Sequence, residues 1–208
     1  MASPLPDASA DRTHGEASEA QAPSDEALME RFCQGDGRAF DALYLRYRVP
    51  LHGFFRRMVG STAAADDLLQ VTFLHVVKAR GRYARGEPLR PWLYAIARNA
   101  ARDHLRLAHH REVGGESSER SLSRLEAPEE VVAAGADEVA ALQRALAALP
   151  PKYREAVVMH QLEGLSFTEV ARAVDSTPGA VKVRAHRGYQ RLREVLAALR
   201  RDRSGGAP

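Results

Sequence analysis

The chain has 208 residues, of which 45% are hydrophobic and 27% charged, with a net charge of +3; that is the composition of a globular protein of one or two domains. No apolar run approaches the roughly 18 residues of a membrane-spanning helix, and the acidic, Pro/Ala/Ser-rich start lacks the basic and apolar parts of a secretory leader. A single cysteine, Cys33, leaves no internal disulfide and argues against a cysteine-based zinc site, so the expectation is a cytoplasmic protein without membrane insertion.

Residues 1–24 hold Pro4, Pro6 and Pro23 but no Val, Ile or aromatic residue, which predicts a disordered acidic tail. From residue 25 onward helical periodicity dominates. Phe40, Leu43, Tyr44, Tyr47, Leu51, Phe54, Phe55 and Met58 recur at steps of three and four and form one helical stripe. Pro50 is expected to kink or divide that helix. Leu69, Phe73, Val76 and Val77 form a second stripe, and Leu89, Leu93, Ile96, Ala97 and Ala100 a third. With a short helix near 26–34, residues 25–107 read as a bundle of about four helices. Gly114, Gly115, Ser117, Ser118, Ser121 and Ser123 among acids, followed by Pro128, mark a linker over 108–136. A second helical unit is expected over 137–200, with 201–208 as a tail. The fold class is therefore all-α: two small helical domains joined by a flexible acidic linker.

Charge is distributed in blocks. Residues 46–107 carry a net +8 and residues 178–203 a net +6, while 108–150 carry −4. Two basic blocks in two helical units point toward a polyanion such as nucleic acid. Within the first block, Asp66 and Gln70 share a helix face beside Asp67, where polar contacts could hold a partner. Residues 80–91 form a basic loop containing Gly, Pro and Tyr83; cations can follow phosphates there while a ring stacks on a base. Asn99, Arg102 and Arg106 lie together on the following helix, where Arg suits phosphates and Asn can also read bases.

The second block carries the sharpest local pattern. Ser166-Phe167-Thr168-Glu169 reads as a capping box opening a short helix. Asp175-Ser176-Thr177 breaks it, and Thr177-Pro178 suits an N-cap with Pro at the first position of a longer helix. Val181, Ala185, Leu192, Val195 and Leu199 stripe one face of that helix; Lys182, Arg184, His186, Arg187, Arg191 and Arg193 take the others. Gly179, Ala180, Ala185 and Gly188 are small enough to allow close approach to DNA. The whole is a helix-turn-helix whose second helix suits the major groove.

Taken together these residues resemble the extracytoplasmic-function (ECF) type of bacterial RNA polymerase sigma factor. The resemblance rests on Asp66-Asp67-Leu68-Leu69-Gln70 with Phe73, on Pro91-Trp92-Leu93-Tyr94 through Ile96-Ala97-Arg98-Asn99 to Asp103-His104-Leu105-Arg106, on Leu149-Pro150 with Tyr153-Arg154-Glu155, and on Glu163-Gly164-Leu165-Ser166 and Gly179-Ala180-Val181-Lys182-Val183-Arg184. It implies a first domain that binds the β′ clamp coiled coil and the minus-ten element, and a second that binds the minus-35 element and the β flap. It casts Asp66, Asp67 and Gln70 as polymerase contacts, Arg82, Tyr83, Arg85 and Gly86 as the loop that captures non-template bases, and Asn99, Arg102 and Arg106 as contacts near the minus-ten element. Lys182, Val183, Arg184, His186 and Arg187 become the minus-35 face. Ala180 and Val183 replace the Thr and Ser common in that helix, which alters the expected promoter sequence. Core RNA polymerase, promoter DNA and a sequestering anti-sigma factor are the expected partners.

No cofactor, metal site or catalytic residue is expected. The acidic pairs Asp66-Asp67 and Glu129-Glu130 are adjacent in sequence, and neighbours on a helix do not converge on one ligand. The competing reading is a stand-alone helix-turn-helix regulator, which would bind duplex DNA without polymerase, usually as a dimer on a palindrome.

Overall fold

The structure, a computed structural model, describes residues 22–113 and 136–204. Most of the expected tail and linker lies outside the described residues. Among those described, all regular structure is helical.

The first unit begins with α1 (Asp25–Cys33), where the Ser24 hydroxyl accepts from Ala27 N–H and Asp25 and Glu26 favour the positive helix end. Helix α2 (Gly37–Val59) starts at Asp36, whose carboxylate accepts from the N–H groups of Arg38 and Ala39, and stops at Gly60 in the left-handed conformation. It runs on through Pro50 as one helix, so of the kink or division expected there the division does not occur. Pro50 is exposed, so water rather than a packed neighbour meets the carbonyl that lacks its donor. Helix α3 (Thr62–Ala79) is capped by Ser61. After a 3-10 turn at Arg80–Arg82 and a loop, α4 (Leu89–Val113) begins with the Leu89 N–H donated to the Glu26 carboxylate of α1. It extends past residue 107, where the sequence suggested the domain would end. Leu51, Phe54, Phe55, Met58 and Tyr94 lie at the centre of this bundle, each at most 1% exposed.

The second unit contains α5 (Ala136–Ala147), α6 (Pro151–Val157), α7 (Phe167–Ala173) and α8 (Pro178–Ser204). A π turn, Val158–Leu162, prolongs α6. The capping box is formed: the Ser166 hydroxyl accepts from Glu169 N–H at 3.2 Å, and the Glu169 carboxylate accepts from Ser166 N–H at 2.7 Å. Thr177 caps α8 by accepting from Ala180 N–H. Helices α7 and α8 are thus the expected helix-turn-helix. Gly188, read from sequence as a point of approach to DNA, instead faces inward. A Cβ there would come within 2.5 Å of Val157 Cγ2 and 3.2 Å of the Tyr153 carbonyl oxygen, so α6 and α8 meet backbone to backbone.

The two units pack directly on each other, α7 against α4 and α5 against α2, and buried apolar side chains are continuous across the boundary. Three charged groups of the second unit complete the joint. Glu163 is 5% exposed; its two carboxylate oxygens accept from Arg57 Nη1 at 2.7 Å and the Tyr94 hydroxyl at 2.8 Å, and its carbonyl accepts from Arg90. Glu155, equally buried, accepts from Arg98 Nε at 2.8 Å. Arg154 donates to the carbonyls of Ala147 and Leu149 in its own unit and to Met58 at the end of α2, 2.6 Å away. Burial raises the Glu163 carboxyl above the ordinary glutamate range, although Tyr94 and the Arg57 and Arg90 charges pull it down. Burial drives the Tyr94 hydroxyl well above the usual phenol range.

Two outcomes follow. Gly188→Ala should cost about 1–3 kcal/mol of folding stability through overpacking between α6 and α8, read as a lower urea midpoint at unchanged slope. Because the Glu163 carboxyl is raised in the folded chain, its contribution to stability is present in full below the ordinary glutamate value and is lost as pH rises through the raised one. Glu163→Gln should therefore gain on the wild type as pH increases, and a pH-independent difference between the two urea midpoints would contradict the assignment.

Candidate nucleic-acid interface

Asp66, Asp67 and Gln70 project from α3 and are exposed, with Asp66 3.2 Å from His52 Nε2. Val71 and Leu74, 38% and 59% exposed, adjoin them on the same helix. Sequence reading missed this apolar margin, because its positions sit beside the buried stripe rather than outside it. A surface mixing acidic, amide and apolar groups on one rigid helix suits a protein partner better than a polyanion.

The loop before α4 is organised by Tyr83. The ring is buried at 7% exposure, packs edge-on to Trp92 at 5.4 Å, and donates its hydroxyl to the Glu87 carbonyl. Burial and the acids of α1 push its phenol up to about 12. Tyr83 thus holds the loop closed rather than offering a free ring to a base, which corrects the stacking role expected from sequence. Arg82, Arg85 and Gly86 remain at the surface, with Gly86 making the turn at φ 79°.

On α4, Asn99, Arg102 and Arg106 lie on one exposed face, as their spacing of three and four requires. With Asp103, Leu105 and Pro151 they line an open cleft of about 570 Å³. Arg106 pairs with Asp103 at 3.2 Å, and Arg102 lies 3.7 Å from Glu155. Arg98, one residue before Asn99, is drawn into the joint with Glu155 and is 13% exposed.

On α8, Val181 and Ala185 are fully buried and Gly188 is covered by α6, which turns Lys182, Val183, His186 and Arg187 outward and leaves Arg184 half-buried. Val183 is 51% exposed. The Arg187 guanidinium beside the Tyr153 hydroxyl holds that phenol below its usual range. The cationic faces of α4 and α8 belong to different units. Among the described residues, no cluster of His, Cys, Asp and Glu is placed to hold a metal ion, and no helix is long and apolar enough to cross a membrane.

Two family models match the chain: Sigma-70 region 2 over residues 43–111 and Sigma-70 region 4 over residues 140–192. The first therefore covers α3, the loop and most of α4; the second covers the helix-turn-helix. RNA polymerase sigma factor CarQ of Myxococcus xanthus is 45% identical over 175 residues, spanning 82% of this chain and 97% of that protein. ECF RNA polymerase sigma factor SigM of Mycobacterium tuberculosis is 33% identical over 182 residues, spanning 85% of this chain and 86% of that protein. Among solved structures, the sigma factor RpoE of Bartonella quintana, in complex with the anti-sigma factor NepR, is similar at a TM-score of 0.64 and 25% identity, over 76% of this chain and 96% of that one. The order of the helices, the paired cationic faces and these likenesses agree, and the chain belongs to the extracytoplasmic-function type of bacterial RNA polymerase sigma factors.

Proposed function

We propose that the chain joins core RNA polymerase and directs it to promoters, with α8 reading the minus-35 element and with α4 and the loop at 80–91 engaging and helping to melt the minus-ten element. The observation that carries this reading is the presence of two outward cationic faces on separate units, each within a segment matching a sigma region. Either face alone would bind DNA weakly. Fixed on one polymerase, the two act at a high effective concentration toward each other's sites.

On α8, Lys182 supplies a phosphate contact, His186 and Arg187 can donate to base edges or phosphates, and Val183 offers an apolar contact to a thymine methyl. On α4, Arg102 and Arg106 follow the backbone and Asn99 can read a base. Arg82 and Arg85 supply cations beside the strand being opened, and Gly86 lets the backbone turn close to it. Asp66, Asp67 and Gln70, with the apolar margin of Val71 and Leu74, form the polymerase contact on α3. A cleft of about 750 Å³ between α5, the π turn and the end of α8, lined by Leu142, Leu146, Val157, Leu162, Leu192 and Leu196, suits a helix of a protein partner. The polymerase β flap is the partner proposed there, and an anti-sigma factor would use overlapping surface. Nothing in these roles requires bond chemistry by this chain; nucleotide addition belongs to polymerase. The setting is the cytoplasm.

The test is affinity for bacterial core RNA polymerase, followed by transcription from a genomic fragment pool with the reconstituted enzyme. Tight binding and discrete new start sites are expected. Absence of polymerase binding, with salt-sensitive duplex binding by the chain alone, would favour the stand-alone regulator. Lys182→Ala should weaken promoter binding by the holoenzyme and lower the slope of its salt dependence by about one counterion, while leaving affinity for core polymerase in place. Asp67→Ala combined with Gln70→Ala should do the reverse, weakening core binding by about tenfold, measured by competition against the wild-type chain.

A further inference from the structure

Helices α6 and α8 gather three cations around one phenol. Gly188 lets the two helices close, and a Cβ there would lie 3.5 Å from Tyr153 Cβ, so Tyr153 lies against α8. Its side chain is buried, at 8% exposure. The Lys152 ammonium and the Arg191 guanidinium each stand 5.3 Å from the ring centroid, within cation–π range. Arg187, one turn before Arg191 on α8, lies beside the hydroxyl; with the charges of Lys152 and Arg191 it holds the phenol below its usual range. Lys152, Arg187 and Arg191 are all exposed. Among the described residues, none of the three is paired with a carboxylate. Like charges one turn apart on a helix repel, so the described residues leave here a concentration of positive charge without a counter-charge.

We propose that Lys152, Tyr153 and Arg191, together with Arg187, form a clasp for one backbone phosphate of the duplex that α8 reads. The inference rests on the sigma-factor reading above, and it extends the DNA surface of the second unit from α8 to the start of α6. The ligand class follows from the donors. Ammonium and guanidinium groups donate and do not accept, and the Tyr153 oxygen, with Arg187 beside it, still has its own hydrogen to give. Donors that carry or adjoin positive charge bind an anion more strongly than neutral ones do. The ring is buried with cations against it, so it offers no platform on which a base could stack. The position follows from the helix. Val183 and Arg191 are eight residues apart, or about 12 Å along the axis at 1.5 Å per residue, and the major groove is about 12 Å wide. With Val183 at the base edges, Arg191 reaches the edge of the groove, where the sugar–phosphate backbone runs. A contact there fixes register and orientation and carries no sequence information. The clasp therefore sets how α8 enters the groove, while Val183 and His186 meet the bases.

The test uses holoenzyme reconstituted from the full chain and core polymerase, on a promoter duplex recovered from the genomic fragment pool. Each phosphate along and beside the minus-35 element is replaced in turn by an uncharged methylphosphonate. Wild-type affinity should fall about tenfold at one phosphate on the edge of the groove, as loss of a charge-assisted contact implies. The double variant Lys152→Ala/Arg191→Ala should lose about as much on the unmodified duplex and nothing further at that phosphate. Both substituted side chains are exposed, and unchanged affinity for core polymerase checks that the fold is kept. Tyr153→Phe retains the ring beside its cations and removes only the hydroxyl. It should bind the unmodified duplex a few-fold more weakly and respond less to the same methylphosphonate, which a ring that merely packs would not cause; wild-type behaviour of Tyr153→Phe would remove the phenol from the clasp. Equal affinity of the double variant and wild type for the unmodified duplex would overturn the clasp and leave the sigma-factor reading standing. So would a loss in the double variant that adds in full to that of every methylphosphonate. Absence of any promoter complex with wild-type holoenzyme would overturn that reading, and the clasp with it.

Discussion

A carboxylate with 5% exposure is tolerated inside a protein when both of its oxygens meet donors. Glu163 meets that condition with groups from the other unit, Arg57 on α2 and Tyr94 on α4. The requirement fixes how the two units meet. Once Glu163 is seated, the loop that follows it leads into α7 along α4, and Arg154 lies within reach of the Met58 carbonyl at the end of α2. A guanidinium placed there satisfies a helix C-terminus whose carbonyls have no donor of their own. The joint is therefore specific in orientation, because the two Glu163 carboxylate oxygens and both terminal nitrogens of Arg154 meet partners in this arrangement and would be left desolvated and unpaired if the units slid against each other.

The same economy decides which side chains face outward. On α8, the inward positions are filled by Val181, Ala185 and Gly188, small enough for α6 to come close. A helix held so tightly on one side presents its remaining faces in fixed directions, which is what reading a groove requires of a recognition helix. On α4 the inward face is shared between Tyr94 and Ala97, packed in the first unit, and Arg98, paired across the joint. The outward face is left to Asn99, Arg102 and Arg106. The DNA contacts proposed for α4 and the attachment between the units thus draw on adjacent positions of one helix.

Much of this was legible in the sequence, and the parts that were not share a cause. The helices, the caps at Ser166 and Thr177 and the helix-turn-helix follow from contacts within a few residues, and each was recoverable from spacing. Tyr83 was misjudged because an aromatic residue in a basic loop looks the same whether its ring is free or packed on Trp92. Gly188 was misjudged because a small residue on a basic helix fits either an approach to DNA or an approach to a neighbouring helix. Pro50 did not break α2, since its cost depends on which side of the helix meets water. Least legible were Glu155 and Glu163. Their partners stand 57 and 106 residues earlier in the chain, and nothing local distinguishes a buried acid from an exposed one.

The π turn at Val158–Leu162 sits between those two acids. It places more residues in one turn than an α-helix does, and so changes the angle at which Glu163 leaves the helix relative to Glu155. The number of residues separating the two acids is consequently as much a determinant of the joint as their chemistry. Divergence by substitution can proceed at the buried Val158 and Met159 so long as volume is kept, whereas loss or gain of a single residue within the turn would swing one carboxylate away from its donors while leaving the other in place.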